Sequence, residues 1–369
     1  MKMSLSYLEL SKEALLHNIA TFRALIGNAK LCMVVKANAY GHGMKEIVSI
    51  ADGLVDYFQV DDIEELRALR QLTQTPILVL GYVAEEDLRE AVLLDAILAV
   101  FDDTRLQLLN AIGAKCNKTI SVHIEVDALL GRLGILDTNA EVFFSNLTNY
   151  PHVSAEAIYA HFSDIEDTDD LTHARAQYEV LMKVKEISQV AMHHISATSG
   201  ILADQSHNWG GQLLRLGIGA YGLWPSEQLR ERYKGTVTLQ PVLSWKSHVA
   251  QVKVLPKGYA VGYGRTYITD KETKVAIIPQ GYSDGYDRGL SNKGTVLIGD
   301  TRCSIIGRVA MNMIVADVTG KDIAAEDEVV LMGAQGTETI SAEDIAQTIG
   351  TINYEVVARL SALLPRIIV

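Results

Sequence analysis

The stretch LCMVVKANAYGHG, residues 31–43, is where the fold of this chain can first be read. Its first five residues are apolar and have the length of a strand, which indicates a strand buried on both faces, as in a parallel sheet. The run ends in a lysine, Lys36, and passes directly into small and polar residues. Such residues are typical of a ligand-holding turn between a strand and a helix.

Lys36 at the end of an apolar run has two interpretations, because lysine is seldom fully buried. In the first, its stem packs against apolar neighbours and its ammonium reaches water. In the second, it is held away from water, and its neutral amine forms a Schiff base with an aldehyde cofactor. The turn that follows, with Asn38, Tyr40 and His42, favours the second interpretation.

Strand-like and helix-like stretches alternate outward from Lys36. An amphipathic helix is predicted over 10–25 with Ser11 as its N-cap, and further helices over 61–72, 85–94 and 170–189. About eight alternations predict a closed parallel (β/α)8 TIM-like barrel, with an open doubly wound sheet as the alternative. The strand-like runs are 31–36, 56–60, 76–80, 97–101, 120–126, 155–161, 192–196 and 212–218.

The pattern changes from about residue 239, where short strand-like runs are broken by Gly, Pro and Asp. Only one clear helix, SAEDIAQTIG at 341–350, is predicted there. The boundary falls near 225–238, a polar segment that contains a proline. We therefore predict an α/β protein with a barrel domain over residues 1–238 and a mainly antiparallel β domain over residues 239–369.

Composition narrows the class of protein. The 369 residues carry a net charge of −12 with no basic cluster, so neither a nucleic acid nor a membrane surface is expected as a partner. The N-terminus lacks a secretory signal, and no apolar run is long enough to span a membrane. We expect a soluble cytoplasmic protein without a metal site or disulfides, because its cysteines are few and far apart: Cys32, Cys116 and Cys303.

Polar residues at the carboxyl ends of the predicted barrel strands are the candidates for a site, because catalytic groups of such barrels lie there. Several strand ends with polar or cationic groups indicate a site more strongly than any one of them. The candidates are Lys36 after the first strand, Arg132 after the fifth, His161 after the sixth, Ser196, Thr198 and Ser199 after the seventh, and RLGIGAYG after the eighth.

The last of these segments contains a literal GxGxxG at 217–222. A dinucleotide site would require a following helix and an acidic residue about 20 positions on, whereas Leu-Trp-Pro follows and 235–245 has no such acid. A phosphate suits these glycines better, since the loops after strands seven and eight of such barrels often bind one. The N–H groups of Gly217 and Ile218, with the Ser199 hydroxyl, are candidate donors.

The segment VVKANAYGHG resembles the cofactor-attachment segment of the bacterial alanine racemases, fold-type III enzymes that carry pyridoxal 5′-phosphate on a lysine like Lys36. The resemblance implies an isomerase that interconverts L-alanine and D-alanine, supplies D-alanine for peptidoglycan and works as a homodimer. It spans both predicted domains and continues in GYAVGYGRTY (258–267), GYSDGYDR (281–288), RVAMNM (308–313) and INYE (352–355).

The resemblance also implies residues that bind the cofactor. An arginine at the pyridine nitrogen opposes protonation of the ring, so the carbanion is less delocalised and reprotonation at Cα is favoured. The alternative interpretation of Arg215 is an ordinary surface salt bridge. The phosphate ligands are Tyr40, Ser199, Gly217, Ile218 and Tyr354, and the ring neighbours are His161 and Arg215.

Racemisation requires proton-transfer groups on opposite faces of Cα. The resemblance assigns these roles to Lys36 and to Tyr263 of the partner subunit; without it, Tyr263 would be an ordinary sheet aromatic. It assigns substrate contacts to Arg132, Tyr282 and the Met311 backbone, and support of the Tyr282 wall to Arg288.

The chain departs from the family pattern at four places. Glu125 stands where most relatives have a carbamylated lysine, and as an anion it is expected to orient Arg132 bidentately. Residues 128–130 read Ala-Leu-Leu instead of Thr-Gly-Met, and Thr198 and Asn312 replace Asn and Asp.

Three other functions remain as alternatives. Tyr354 favours a small substrate such as alanine, and serine is a second possible substrate. A related decarboxylase would use the same Schiff base but should place an acid, not Arg215, at the ring nitrogen. A non-catalytic protein that binds a phosphate ligand is the third.

Overall fold

The computed structural model describes residues 5–203 and 209–369. Contacts between Cα atoms divide the chain into two compact units. The barrel unit comprises residues 16–37 and 47–239, and the sheet unit comprises the chain up to residue 15, residues 38–46 and residues 240–369. The first strand, β1 (Tyr7–Leu10), belongs to the sheet unit, and the first helix is α1 (Lys12–Ile26).

The barrel unit is built on eight parallel strands. The strand β2 pairs with β3 on one side and with β9 on the other, while hydrogen bonds from Gln212 N to His193 O (3.2 Å) and from Arg215 N to Ser196 O (3.1 Å) join the β8 and β9 segments. This arrangement confirms the predicted barrel against the open sheet. The strands are β2 (Lys30–Val34), β3 (Tyr57–Val60), β4 (Ile77–Val79), β5 (Ala96–Val100), β6 (Ile120–Glu125), β7 (Val153–Tyr159), β8 (Met192–His194) and β9 (Leu213–Leu216).

Helices alternate with these strands, and side-chain caps fix where several of them begin. Ser11 Oγ accepts the N–H of Ala14 (3.1 Å), which confirms the predicted cap of α1, and the side chain of Asp62 caps α4 in the same way. The remaining helices as far as residue 239 are α2 (Lys36–Tyr40), α3 (Met44–Ala51), α4 (Ile63–Arg70), α5 (Leu88–Leu93), α6 (Asp103–Cys116), α7 (Ala140–Leu147), α8 (Thr172–Ser188), α9 (Thr198–Ala203) and α10 (Glu227–Arg232).

The sheet unit is mainly antiparallel, as predicted. Its largest sheet has the order β16-β15-β18-β10-β1-β20 with β19 on β18, and β1–β20 is its one parallel pair among the described residues. Its further strands are β10 (Leu243–His248), β11 (Gln251–Leu255), β12 (Ala260–Val261), β13 (Tyr267–Ile268), β14 (Thr273–Ile278), β15 (Thr295–Ile298), β16 (Thr301–Ser304), β17 (Ile314–Asp317), β18 (Glu328–Gln335), β19 (Glu338–Ile340) and β20 (Arg366–Ile368).

Two helices lie in the C-terminal part of the sheet unit, α11 (Ala342–Ile349) and α12 (Asn353–Ala358). The prediction of a single helix there is wrong. The helix α12 has no side-chain cap that could mark its start, and the burial of Asn353, Val356 and Val357 supports it instead. The domain bounds 1–238 and 239–369 remain a proposal. Two segments depart from it: β1, which pairs with β10, and residues 38–46 belong to the sheet unit.

Among residues 5–203 and 209–369, no helix is both long and apolar enough to cross a bilayer.

Candidate active site

Lys36 lies directly after β2, at the start of an unusual turn. The strand ends at Val34, so Lys36 is the first residue of α2 and does not close the strand. Its side chain is 38% exposed, which corrects the expectation of a buried lysine. The physical reason is Asp61, which follows β3 and accepts a hydrogen bond from Lys36 Nζ at 2.9 Å, so the ammonium lies beside an acid and close to solvent.

The helix α2 is left-handed. Residues 37–40 have φ between +52° and +55°, although none of them is glycine. For such residues this conformation costs about 1–2 kcal/mol each, so the surroundings must hold the turn in place. The Asn38 carbonyl accepts the N–H of Gly43 and its side chain accepts that of Met44, both at 2.9 Å. The part of the turn from Asn38 onward is therefore held by its own hydrogen bonds.

Arg215, on β9, is buried inside the barrel with only 1% of its surface exposed. Its Nη1 donates to His161 Nε2 at 3.0 Å, and its Nη2 donates to the carbonyls of Ala160 and Ile195 at 2.7 Å. These neutral acceptors exclude the ordinary surface salt bridge considered from the sequence. Nε of Arg215 has no hydrogen-bond partner in the part of the chain that the structure describes.

The electrostatics of this pair follow from burial. Burial and the neighbouring guanidinium hold the pKa of His161 well below its usual range, so its Nε2 stays unprotonated and accepts from Arg215. Burial also lowers the pKa of Arg215 to about 10, which leaves it protonated at neutral pH. The ring of Tyr159 lies 5.5 Å from the guanidinium carbon and adds a cation–π contact.

A buried polar column behind Arg215 was not found from the sequence. His194 stacks on the Tyr159 ring with centroids 5.0 Å apart, and its Nε2 lies 2.9 Å from His123 Nδ1. Burial lowers the pKa of His123 to about 3, and it holds that of His194 well below its usual range. The available signal was the placement of both histidines on strands where apolar residues were expected.

The candidate phosphate donors lie together at the end of β9. The N–H groups of Gly217 and Gly219 donate to Thr198 Oγ1 at 3.2 and 3.3 Å, so the departure at position 198 anchors this loop. Ile218 opens a short 3-10 turn, Ile218–Tyr221, where the first N–H groups have no intrahelical partner. Ser199 Oγ donates to Glu166 Oε2 at 2.7 Å.

Glu166 is a second group that the sequence did not reveal. Burial is the largest effect on its carboxyl, and it raises the pKa although the Ser199 hydrogen bond lowers it. A carboxylate beside a candidate phosphate ligand opposes a dianion.

Glu125 ends β6 inside the barrel and is only 3% exposed. It accepts a hydrogen bond from the Tyr159 hydroxyl (2.9 Å), and Arg132 Nη2 lies 3.7 Å from its Oε1. The expected bidentate pair is therefore a single ion pair, because the Arg132 side chain stays 57% exposed. Burial raises the pKa of Glu125, and both Tyr159 and Arg132 oppose that shift.

Two of the candidate phosphate ligands belong to the sheet unit. The rings of Tyr40 and Tyr354 lie 6.2 Å apart between centroids and are tilted by 51°. Gly41, with φ +77°, allows this approach, because a Cβ there would lie 1.9 Å from the Val357 carbonyl oxygen on α12. Nη2 of Arg366 also donates to the Gly41 carbonyl at 2.8 Å.

The remaining candidates lie on exposed loops of the sheet unit. Tyr263, on the turn Tyr263–Arg265, is 73% exposed, while Tyr282 and Met311 are 43% and 55% exposed. The loops of Tyr282 and Met311 are joined by hydrogen bonds from Tyr282 N to Ala310 O (3.1 Å) and from Ser283 N to the Met311 carbonyl (3.0 Å). A cavity of about 450 Å³ lies beside these loops and is lined by Tyr282, Arg288 and the Asp287–Arg359 ion pair.

The barrel residues fit an aldehyde cofactor with a basic ring nitrogen and a phosphate. Lys36 supplies an accessible amine, and Arg215 supplies a buried donor, Nε–H, that lacks an acceptor among the described residues. In the loop after β9, the N–H of Ile218 is a neutral donor of the kind that holds phosphate, whereas the Gly217 N–H and the Ser199 hydroxyl already donate to Thr198 Oγ1 and Glu166 Oε2. Two features oppose this fit, the carboxylate of Glu166 and the bond that Gly217 N–H already makes to Thr198.

Family models and a curated relative both match this chain to alanine racemases. Residues 10–225 match the family model for the N-terminal domain of alanine racemase, and residues 242–368 match the C-terminal domain. An alanine racemase from Desulfosudis oleivorans is 37% identical, covering 98% of this chain and 96% of its own length.

Solved structures agree with the sequence matches. An alanine racemase from Bacillus anthracis with bound L-Ala-P has a TM-score of 0.93 at 28% identity and covers 100% of this chain and 96% of its own. An alanine racemase from Bartonella henselae with covalently bound pyridoxal phosphate has a TM-score of 0.89 and covers 100% of both chains. Because its sequence is only 24% identical, this likeness shows the fold alone.

Proposed function

Because the chain belongs to the alanine racemase family of isomerases, we propose that it interconverts L-alanine and D-alanine with pyridoxal 5′-phosphate as its cofactor. The observation that supports this reaction most directly is Arg215, a buried cation that is bonded to neutral acceptors and whose Nε–H has no acceptor among the described residues. The competing decarboxylase predicts a carboxylate in that position. A donor-only guanidinium therefore favours racemisation over decarboxylation.

The proposed cofactor site uses one covalent anchor and several neutral or cationic donors. Lys36 Nζ would be the anchor, and His161 and Arg215 would hold the ring. The phosphate would be held by Tyr40, Ser199, Gly217, Ile218 and Tyr354. When bound, pyridoxal phosphate supplies an aldehyde that captures amino groups and a conjugated ring that takes up electron density from Cα. Arg215 keeps its own proton and gives none to a ring nitrogen, which favours return of a proton to Cα.

Two groups move the proton at Cα in this proposal, one on each face. These are Lys36 Nζ and the hydroxyl of Tyr263 of the partner subunit. In its own chain Tyr263 lies at the surface and is 73% exposed, and Tyr282 and Met311 are exposed as well. A proton-transfer group needs a site from which water is excluded, so a second copy of the chain is expected to cover this surface. We therefore propose a homodimer whose sites are shared between subunits.

The substrate carboxylate is proposed to bind Arg132 and the backbone of Met311, with Tyr282 forming one wall. Glu125 would orient Arg132 through the 3.7 Å ion pair, and Arg288 would support the Tyr282 wall. We place the enzyme in the cytoplasm, because its three cysteines are all free, as is usual in a reducing compartment. The D-alanine that it forms there would be used for peptidoglycan synthesis.

Proton NMR of L-alanine in D₂O, with the protein and pyridoxal phosphate, tests the reaction. We expect the Cα proton signal to disappear while D-alanine accumulates. Release of carbon dioxide would instead support the decarboxylase, and an unchanged spectrum would support a protein that only binds a phosphate ligand.

Mixing two inactive variants tests the shared site. Lys36→Ala and Tyr263→Phe are each expected to be inactive. In a mixed dimer, one site would combine the intact Lys36 of one chain with the intact tyrosine of the other. Refolding an equal mixture should therefore recover about a quarter of the wild-type activity. No recovery, in a mixture shown to contain mixed dimers, would mean that each site is built from a single chain.

A further inference from the structure

Glu65, on α4, makes an unusual pair of hydrogen bonds beside Lys36. Its Oε1 accepts the N–H of Ala37 at 2.6 Å, and its Oε2 accepts the N–H of Asp61 at 3.0 Å. Ala37 is the residue directly after the proposed cofactor lysine, and Asp61 is the acid that holds the Lys36 ammonium. One carboxylate thus joins the segments that follow the neighbouring strands β2 and β3.

An ordinary helix cap does not account for both bonds. Asp62 is the N-cap of α4 and Glu65 is the third residue of the helix, the position from which a glutamate in a capping box bonds back to the N-cap. Here Oε2 instead bonds the residue before the cap, and Oε1 reaches across to Ala37. The bond from the Ala37 N–H to Oε1 holds the turn after Lys36 and does not cap α4.

The bond to Ala37 is made where the left-handed turn begins. Ala37 has φ +52° and is the first of four consecutive non-glycine residues in this conformation. Such a conformation persists only when its surroundings hold it. The hydrogen bonds from Gly43 and Met44 hold the far end of the turn, and Glu65 holds the end next to Lys36.

We propose that Glu65 is a positioning residue, which holds the turn after Lys36 and the Asp61 partner in register so that the lysine amine points into the active site. This inference rests on the proposed function for its meaning, but the hydrogen bonds themselves do not. A carboxylate is required because it has two acceptors and no donor. In Glu65→Gln the amide NH₂ would face one of the two backbone N–H groups, so one bond would be lost.

Hydrogen exchange of the full chain without cofactor tests the clamp directly. In Glu65→Gln, amides of the segment 34–43 should exchange about tenfold faster or more, because a hydrogen bond to a charged group contributes more than the 1.4 kcal/mol that corresponds to a factor of ten. The matched control is Glu64→Gln on the same helix. The Glu64 side chain is 73% exposed and forms an ion pair with Arg67 at 3.3 Å. Its replacement should therefore leave the amide exchange rates of residues 34–43 unchanged.

The holoenzyme provides the second measurement. Glu65→Gln should lower kcat about tenfold or more and shift the absorption band of the bound cofactor, while KM for alanine changes little because the proposed carboxylate contacts are untouched. Glu65→Asp keeps the charge but lacks the reach for both bonds, so it should not restore kcat. A merely structural residue would accelerate exchange throughout the barrel and leave the cofactor band in place.

The outcomes separate this inference from the proposed function. Unchanged exchange in 34–43, or a uniform increase in all barrel peptides, overturns the role of Glu65. A wild-type protein that binds no pyridoxal phosphate overturns the proposed function, while the exchange comparison still decides whether Glu65 holds the turn.

Discussion

At the residue scale, Glu166 is the group that opposes the proposed phosphate site. Its carboxyl accepts from Ser199 at 2.7 Å, so an anion would approach a carboxylate. We expect Glu166→Gln to bind pyridoxal phosphate roughly three- to tenfold more tightly at pH 8, because the like-charge repulsion is removed. Equilibrium titration of the cofactor band measures the change.

The pH dependence and a control sharpen this prediction. Because the pKa of Glu166 is raised by burial, the wild-type carboxyl takes up a proton as the pH falls, and the advantage of the variant should shrink. Asp164→Asn removes an exposed charge from the same loop and should leave the affinity unchanged. Weaker binding in Glu166→Gln would show that Glu166 positions Ser199 for the phosphate instead of opposing it.

Glu125 allows a second prediction at this scale. Its 3.7 Å ion pair is the contact that restrains the half-exposed Arg132, the proposed ligand of the substrate carboxylate. Glu125→Gln should raise KM for alanine about fivefold and change kcat less, since the lost pair is partly exposed to solvent. Steady-state kinetics in both directions check this expectation.

Tyr159→Phe is the control for the effect of charge. It removes the 2.9 Å hydrogen bond to Glu125 but leaves the carboxylate and its ion pair in place. If this variant raised KM as much as Glu125→Gln does, the hydrogen bond and not the charge would orient Arg132.

At the element scale, the turn after Lys36 depends on Gly41. This glycine has φ +77°, and a Cβ would lie 1.9 Å from the Val357 carbonyl oxygen. Gly41→Ala therefore carries both backbone strain and a collision with the α12 backbone. Gly53→Ala is a matched control, because Gly53 has φ +80° with nothing within 4 Å of a new Cβ.

The two variants should differ clearly in the free energy of unfolding measured with denaturant. Gly53→Ala should cost about 1 kcal/mol from backbone strain alone, whereas Gly41→Ala should cost several kcal/mol more. Equal losses would mean that α12 moves away readily, and the close approach would then contribute little to holding the turn.

The elements that the sequence predicted are those with a strong local pattern. Apolar runs bounded by polar turns located all eight barrel strands, and Ser11 marked the start of α1. The left-handed α2 was not predicted, because four non-glycine residues with positive φ oppose local preference and depend on distant contacts. The four-residue strand β1 is too short to show a period, and its pairing with β10 depends on residues more than 200 positions away.

The same distinction holds for the candidate site. Strand ends pointed to Lys36, His161 and Ser199, because the barrel architecture alone brings strand ends together. Glu65 and Glu166 were missed, since each bonds a residue about 30 positions away in the sequence, Ala37 and Ser199 respectively, and neither has a motif around it. The burial of Arg215 follows from the β2–β9 register, which sets it opposite Cys32 and which the sequence does not reveal.

At the scale of the whole molecule, the buried histidines predict how stability depends on pH. Burial lowers the pKa of every one of them, to about 4 for His42 and about 3 for His123. Above about pH 6.5, the value for an unperturbed histidine, folded and unfolded chains are both neutral at these positions, so the histidines add no pH dependence. Among residues 5–203 and 209–369, the group is the buried His42, His123, His193 and His194 together with the half-buried His161.

Below that pH, the unfolded chain takes up protons that the folded chain does not bind. The free energy of unfolding must therefore fall as the pH falls, by up to about 1.4 kcal/mol per pH unit for each such histidine. For His42 this loss continues until the pH reaches its folded pKa of about 4. The raised pKa values of Glu65, Glu125 and Glu166 act in the opposite sense at lower pH, so the steepest loss is expected just below pH 6.5.

Denaturant unfolding of the cofactor-free chain between pH 8 and pH 5 measures this curve. His42→Gln should lower by one the number of protons that the unfolded chain binds in excess of the folded chain. The slope of the free energy of unfolding against pH should then fall by about 1.4 kcal/mol per pH unit, even though the variant is less stable at pH 8. His173→Gln, at an exposed position, is the control and should leave the slope as it is. A free energy of unfolding that stays constant from pH 7 to pH 5 would mean that the buried histidines take up protons without unfolding, and the neutral His161 on which the Arg215 contact depends would then be lost as well.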